Sequence, residues 1–344
     1  MPLHDIQNHI DRLQQELEDR SLSTTIVESG VLTIIVLVTL LGNVLVCRAV
    51  YQSPRLRTIT NYSVVVLALT DISMAVFVLS LVLSVFILGK KQFSHVVCQF
   101  QAYVAIALVQ SSIFTVTFMS VNRYFKIVKG NHVYRKVFTS KNSILMFIVM
   151  ILVAWIGPIN TYLQGQEFHF HPGKMICMYS FHKQKLEISI ITGFIYYLLP
   201  YCITTFCYCS IYIKVRSHNK RIAIAAPSTT NTATTTTINR KDINITKTLF
   251  AIFLVFTFCM MQLLVVDSTE VFYGEYKLPR QVYVLYTVMC GLASAINPFI
   301  YGLFSPAFSS EYKRSLLCLR NRVESGPSTG TYSQCIQRKD RGFT

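Results

Sequence analysis

The sequence predicts an all-α membrane protein, a seven-transmembrane helix bundle with a short amphipathic helix after the seventh span. Three observations carry this. Of its 344 residues, 52% are hydrophobic and only 14% charged, with a mean hydropathy of +0.44; a soluble domain carries about 25% charged residues. Apolar runs recur, each long enough as a helix of ~20 residues to cross a hydrocarbon core. Lys and Arg are concentrated in alternate loops. With the N-terminus outside, inner segments hold 23 Lys/Arg against four acids, and outer segments nine against eleven, the bias expected of cytoplasmic loops. The net charge of +16 thus reports topology across a membrane. It fits anionic lipid heads and an acidic cytosolic partner, not nucleic acid.

Residues 1–25 form a polar head read as an extracellular N-terminal tail, with no basic-then-apolar pattern of a removable signal peptide. Within it Ile6, Ile10, Leu13 and Leu17 stand at helical spacing. A solvated, partly helical tail is the favoured reading over a docking helix. The bundle occupies 26–304, with spans at 26–51, 58–87, 96–127, 142–164, 187–213, 245–267 and 281–304. Helices are required because lipid leaves no partner for open backbone groups. The Thr-rich stretch "APSTTNTATTTTINR" between the fifth and sixth spans reads as a flexible inner loop. Residues 305–320 place Phe308, Leu316 and Leu317 against Lys313, Arg314 and Arg320, the pattern of a membrane-surface helix. Cys318 on it is a palmitoylation candidate, with a free thiol as the alternative. Residues 321–344 read as a disordered cytoplasmic tail.

Most of the ten cysteines lie inside spans. Cys98 and Cys177 fall at outer ends, and the outside is oxidising, so they are the expected disulfide. Polar groups inside spans mark where a membrane protein works. Asn43, Asp71 and Asn297 sit in the first, second and seventh spans, and Ser112 and Ser294 can join them in one hydrated cluster. A buried carboxylate needs a partner, and a sodium ion at Asp71 would serve; no other cofactor and no protein-bound metal is expected. Pro158, Pro200 and Pro298 lie within spans and permit kinks.

These motifs resemble the rhodopsin-like (class A) G protein-coupled receptors, from the first span through the helix after the seventh. The resemblance rests on Gly42-Asn43-Val44, Leu67-Ala68-Leu69-Thr70-Asp71, Cys98, Asn122-Arg123-Tyr124, Trp155, Pro200 with Tyr208, and Asn297-Pro298-Phe299-Ile300-Tyr301. It implies a receptor that binds an extracellular ligand and activates heterotrimeric G proteins, with arrestin and receptor kinases as further partners. Arg123 would be the switch arginine, Tyr208 and Tyr301 its tyrosines when active, and Asp242 its resting acidic partner. By the same correspondence the ligand pocket is lined by Ala105, Ile106, Val109, Gln110, Thr192, Tyr196, Met260, Leu263, Leu264, Asp267, Tyr283 and Thr287. That mostly apolar set favours a small, neutral, lipophilic ligand, melatonin-like ones included.

The sequence also departs from the family. Asn122 stands where Asp is usual, as in melatonin receptors, though their seventh helix usually has Asn-Ala where this chain has Asn297-Pro298. Cys259-Met260-Met261-Gln262 replaces Cys-Trp-x-Pro in the sixth helix, while Phe256 is kept. Ala105 replaces the aspartate of amine receptors, and Gly291 the retinal lysine of opsins. The alternatives are a peptide receptor, using a second outer loop read as solvated, and a non-signalling or constitutively active scaffold or decoy. A transporter is disfavoured by the absence of paired halves, and an enzyme by the absence of a nucleophile–base or metal-ligand set.

Overall fold

A computed structural model describes residues 3–163, 168–179, 186–225 and 240–325. The Thr-rich stretch and the C-terminal tail fall largely outside them, as does the Cys318 side chain. The chain forms α1 (Leu3–Glu18), α2 (Leu22–Gln52), α3 (Ile59–Leu88), α4 (His95–Lys129), α5 (Asn131–Val137) and α6 (Ser140–Leu163). A hairpin, β1 (Phe168–His171) with β2 (Ile176–Tyr179), follows. Then come α7 (Leu186–Gly193), α8 (Leu199–Ala225), α9 (Arg240–Tyr273), α10 (Arg280–Ala295), α11 (Asn297–Phe304) and α12 (Pro306–Ser325). A π-helical turn, Phe194–Leu198, joins α7 to α8 as one span. Among the described residues, six helices are long and apolar enough to cross a membrane. The pair α10 and α11, bent by 41°, makes the seventh crossing.

The bend falls at Asn297-Pro298, where proline removes a backbone hydrogen bond. Polar caps set several starts: the Ser21, Thr58 and Ser94 side chains accept from the amides of Thr24, Asn61 and Val97, each satisfying a first-turn donor. Gly42 has a packing reason. A Cβ there would come 2.8 Å from the Pro298 ring, so only glycine lets α2 approach the α10–α11 bend.

The head of the chain corrects the expectation of a solvated tail. α1 is a docked helix, with Leu13 and Leu17 fully buried and Ile6 nearly so. Leu13 packs with Val266, Tyr276 and Tyr283, and Leu17 with Leu32, Val85, Phe86 and Met175. Burying each leucine is worth about 1.5–3 kcal/mol. The Arg12 guanidinium donates to the carbonyls of Tyr276 (3.0 Å) and Leu278 (3.2 Å). Arg20 bridges the carbonyl of Phe86 (2.6 Å) and the Glu28 carboxylate (2.9 Å), which Arg280 also engages at 2.5 Å.

The loop before α7 likewise departs from the solvated reading. Its hairpin is tied to α4 by the Cys98–Cys177 disulfide, with Cα atoms 5.5 Å apart. Gln99 pairs with the Phe168 backbone in both directions, donating at 2.7 Å and accepting at 3.1 Å, and the Cys177 amide donates to Gln101 at 3.2 Å. At the opposite end of the bundle, the buried Phe308 of α12 packs on Tyr301 at 5.4 Å.

Candidate functional site

Three polar zones lie along the bundle axis. At the end away from the disulfide, Arg123 closes the long apolar run of α4 and is buried. Its guanidinium lies 3.6 Å from Asp242 on α9 and donates to Thr60 on α3 and to Asn122 (3.2 Å). Asn122 acts as a neutral hub: its oxygen also accepts from Thr60 (3.0 Å), and its amide donates to Tyr134 at 3.4 Å. Tyr124 turns away, packing on Phe125 and Phe206. Among the described residues, Arg123 Nε and the hydroxyls of Tyr208 and Tyr301 are buried without a hydrogen-bond partner. Each such orphan costs about 1–3 kcal/mol, so the arrangement holds unmet donors that a second packing can satisfy.

In the middle, Asp71 on α3 is buried and accepts from Asn297 at 2.8 Å. Asn43 donates to the carbonyls of Thr39 (2.9 Å) and Ser294 (3.2 Å), while its own oxygen is without a partner among the described residues. Asp71, Ser112, Ser294 and Asn297 share the wall of a cavity of about 10 Å³, room for about one water-sized guest. The Asp71 carboxylate with the three oxygen-bearing side chains around it is a donor set that suits sodium.

Towards the disulfide lies a cavity of about 670 Å³, within the usual range for small-molecule sites. Ala105, Ile106, Val109, Gln110, Thr192, Met260, Leu263, Leu264 and Asp267 line it, and the hairpin strand Ile176–Tyr179 covers it. Met260 and Phe256, with Val109 and Cys290, border both this cavity and the small one at Asp71, so together they form the partition between them. Tyr196, Tyr283 and Thr287 do not line it. The Tyr196 hydroxyl donates to the Val153 carbonyl at 3.3 Å, and Tyr197 takes its place in the wall. The π-turn inserts a residue here and rotates the register. Tyr283 and Thr287 are engaged by the hairpin turn, and Tyr286 and Cys290 face the cavity instead.

That turn carries the residues the sequence reading missed. Lys174 is completely buried, with its ammonium 2.5 Å from Glu270 and 2.9 Å from Asp267. Burial alone would lower the Lys174 pKa, but the Asp267 and Glu270 charges outweigh it and hold it above the usual value. His171 accepts the Lys174 amide on Nδ1 (3.1 Å), and its Nε2 lies 3.0 Å from Glu270. Burial pushes its pKa down, so the neutral ring accepts at Nδ1 and donates from Nε2. Tyr283 donates to Glu270 at 2.8 Å, and Thr287 to the Lys174 carbonyl at 2.6 Å. A Cβ on Gly173 would strike the Tyr283 ring. One signal was available: Asp267 and Glu270 lie one turn apart on an apolar helix, and two such acids demand a countercharge.

The chain matches the family model of the 7 transmembrane receptor (rhodopsin family) over residues 42–301. It is a rhodopsin-family G protein-coupled receptor. The melatonin receptor type 1A of Phodopus sungorus is 28% identical over 293 residues, covering 84% of this chain and 80% of the relative. The melatonin receptor type 1C of Gallus gallus is 27% identical over 298 residues, covering 85% and 82%. The 5-hydroxytryptamine receptor 4 of Rattus norvegicus is 24% identical over 338 residues, covering 90% and 80%. This receptor is therefore a multi-pass membrane protein that binds an extracellular ligand, and the scaffold and decoy alternatives are not favoured. Its family consists of receptors, not enzymes.

Proposed function

We propose that this receptor takes a small, neutral, lipophilic ligand in the 670 Å³ cavity and passes the signal through Met260 and Phe256 to Arg123. One observation carries the ligand class. Asp267 is the one charged residue among the described residues lining the cavity, and it is already ion-paired to Lys174 at 2.9 Å. A neutral guest loses no countercharge, whereas a cationic one meets a carboxylate that is already paired. The names of the melatonin-receptor relatives point to the same class. The disulfide end and α1 face outside, as the charge bias requires. Arg123, Asn122, Tyr124, Tyr208, Tyr301 and the Asn297-Pro298 bend form the G protein switch, with Asp242 as the resting restraint. Arrestin and receptor kinases engage the same side, Cys318 is the palmitoylation position, and a sodium ion at Asp71 stabilises the resting packing.

The test uses the two ligand chemistries that the relatives' names contain. Purified receptor is titrated with melatonin, a neutral indole amide, and with 5-hydroxytryptamine, a cation. Saturable binding of melatonin that is lost in Ala105→Trp, which fills the cavity, supports the reading. Binding of the cation alone, or melatonin binding indifferent to Ala105→Trp, overturns it.

A further inference from the structure

Lys174 reaches its burial at the tip of a hairpin turn, not from a helix, and the site that receives it is complete. Its ammonium contacts two carboxylates, Asp267 at 2.9 Å and Glu270 at 2.5 Å. It also stands over the rings of Tyr286 at 4.5 Å and Tyr283 at 5.9 Å. Carboxylates together with aromatic faces are what proteins use to recognise free ammonium ligands. An unpaired ammonium at this depth would cost several kcal/mol, so the cage is a requirement of having Lys174 inside. Two of its walls, Asp267 and Tyr286, are also walls of the large cavity. The ammonium site and the ligand cavity are thus adjoining compartments of one space.

We propose that Lys174 is a ligand built into the chain: it occupies an ammonium site made by Asp267, Glu270, Tyr283 and Tyr286, and so reserves the adjoining cavity for guests without a positive charge. An exogenous amine binds in wild type only by expelling Lys174, which leaves that ammonium buried and unpaired or pulls the whole turn out past Tyr283. Removing the Lys174 side chain empties the site, and a small primary amine can then enter it. Lys174 is accordingly the specificity-determining residue of the cavity, and the sign of its charge decides which ligands are refused. This deepens the reading of the cavity as the ligand site, but the ammonium site is tested on receptor without agonist, so the two readings fail separately.

The experiment is chemical rescue. Purified wild type, Lys174→Ala and Lys174→Ala/Asp267→Asn are melted in detergent with increasing n-butylammonium, and with n-butanol as the uncharged isostere. The expected result is a lowered melting temperature for Lys174→Ala, of which butylammonium saturably restores at least half. Wild type gains nothing from the amine, the double variant, which keeps Glu270, gains clearly less than Lys174→Ala, and butanol rescues none of them. Absence of a saturable, amine-specific gain in Lys174→Ala overturns the proposal and leaves Lys174 as a residue that merely anchors the turn. Equal gain in the double variant overturns it too. Should Lys174→Ala not survive purification, the amine is added during expression and surface receptor is counted. Recovery with butylammonium but not butanol supports the ammonium site, and recovery with neither overturns it. Lys174→Met, which keeps the stem, is run in parallel with methylammonium under the same criteria.

Discussion

Arg123 on α4 lies 3.6 Å from Asp242 on α9, so one ion pair joins the third span to the sixth at the end away from the disulfide. Its neighbour Asn122 supplies hydrogen bonds and no charge. Asp242 is therefore the acid that holds Arg123 among the described residues. A partly exposed pair of this kind is worth about 1 kcal/mol, and about 1 kcal/mol is roughly fivefold in a two-state ratio. Asp242→Asn should raise basal G protein activation severalfold at matched surface expression. Unchanged basal activity would remove Asp242 as the restraint.

The sodium proposal makes its own demand. Asp71 and Asn297 are bonded at 2.8 Å beside a cavity of about 10 Å³, and a sodium ion held there favours the packing that encloses it. Agonist affinity should fall as sodium rises in wild type, and Asp71→Asn should lose that dependence. Persistent sodium sensitivity in the variant would exclude an ion at Asp71.

The hairpin turn should respond to acid. Burial lowers the His171 pKa below its ordinary 6.5, with the Lys174 charge adding to the effect and Glu270 and Glu275 opposing it. The ring also packs on Tyr276 and Tyr283. The folded state thus binds the His171 proton less readily than the unfolded chain. Its contribution is full above about 6.5 and is lost as pH falls through the lower folded value. Lys174 stays charged throughout this window. Melting temperature should decline below pH 6.5, and His171→Gln should flatten that decline. An identical slope in both proteins would exclude His171 as the source.

α1 gives a stability test. Truncating a buried leucine costs about 2–5 kcal/mol, so Leu13→Ala should lower the melting temperature, while Ala at the exposed Gln7 should not. A Leu13→Ala protein as stable as wild type would show that α1 does not dock in solution.

Much of this was legible in the sequence. The seven spans follow from apolar runs, because lipid admits one solution to the backbone problem. Asp71 with Asn297, and the pairing of Cys98 with Cys177, follow from where polar and thiol groups stand. What failed did so for identifiable reasons. α1 carries enough charge to be soluble alone, and its apolar stripe acquires meaning only against Tyr276 and Tyr283, far away in sequence. Tyr197 replaced Tyr196 because a π-turn shifts the register by one residue, which no positional correspondence detects. Lys174 looked like any loop lysine because its partners, Asp267 and Glu270, lie on a helix expected to end at 267 that runs on to Tyr273.

The proposed function has this chain couple to G proteins through Arg123. The most direct measurement compares Asp242→Asn with Asp242→Asn/Arg123→Ala at matched surface levels, recording ligand-free activation across a panel of G protein biosensors. The expected result is a signal on at least one G protein for the single variant, abolished when Arg123 is also removed. An equal signal with and without Arg123 would contradict it.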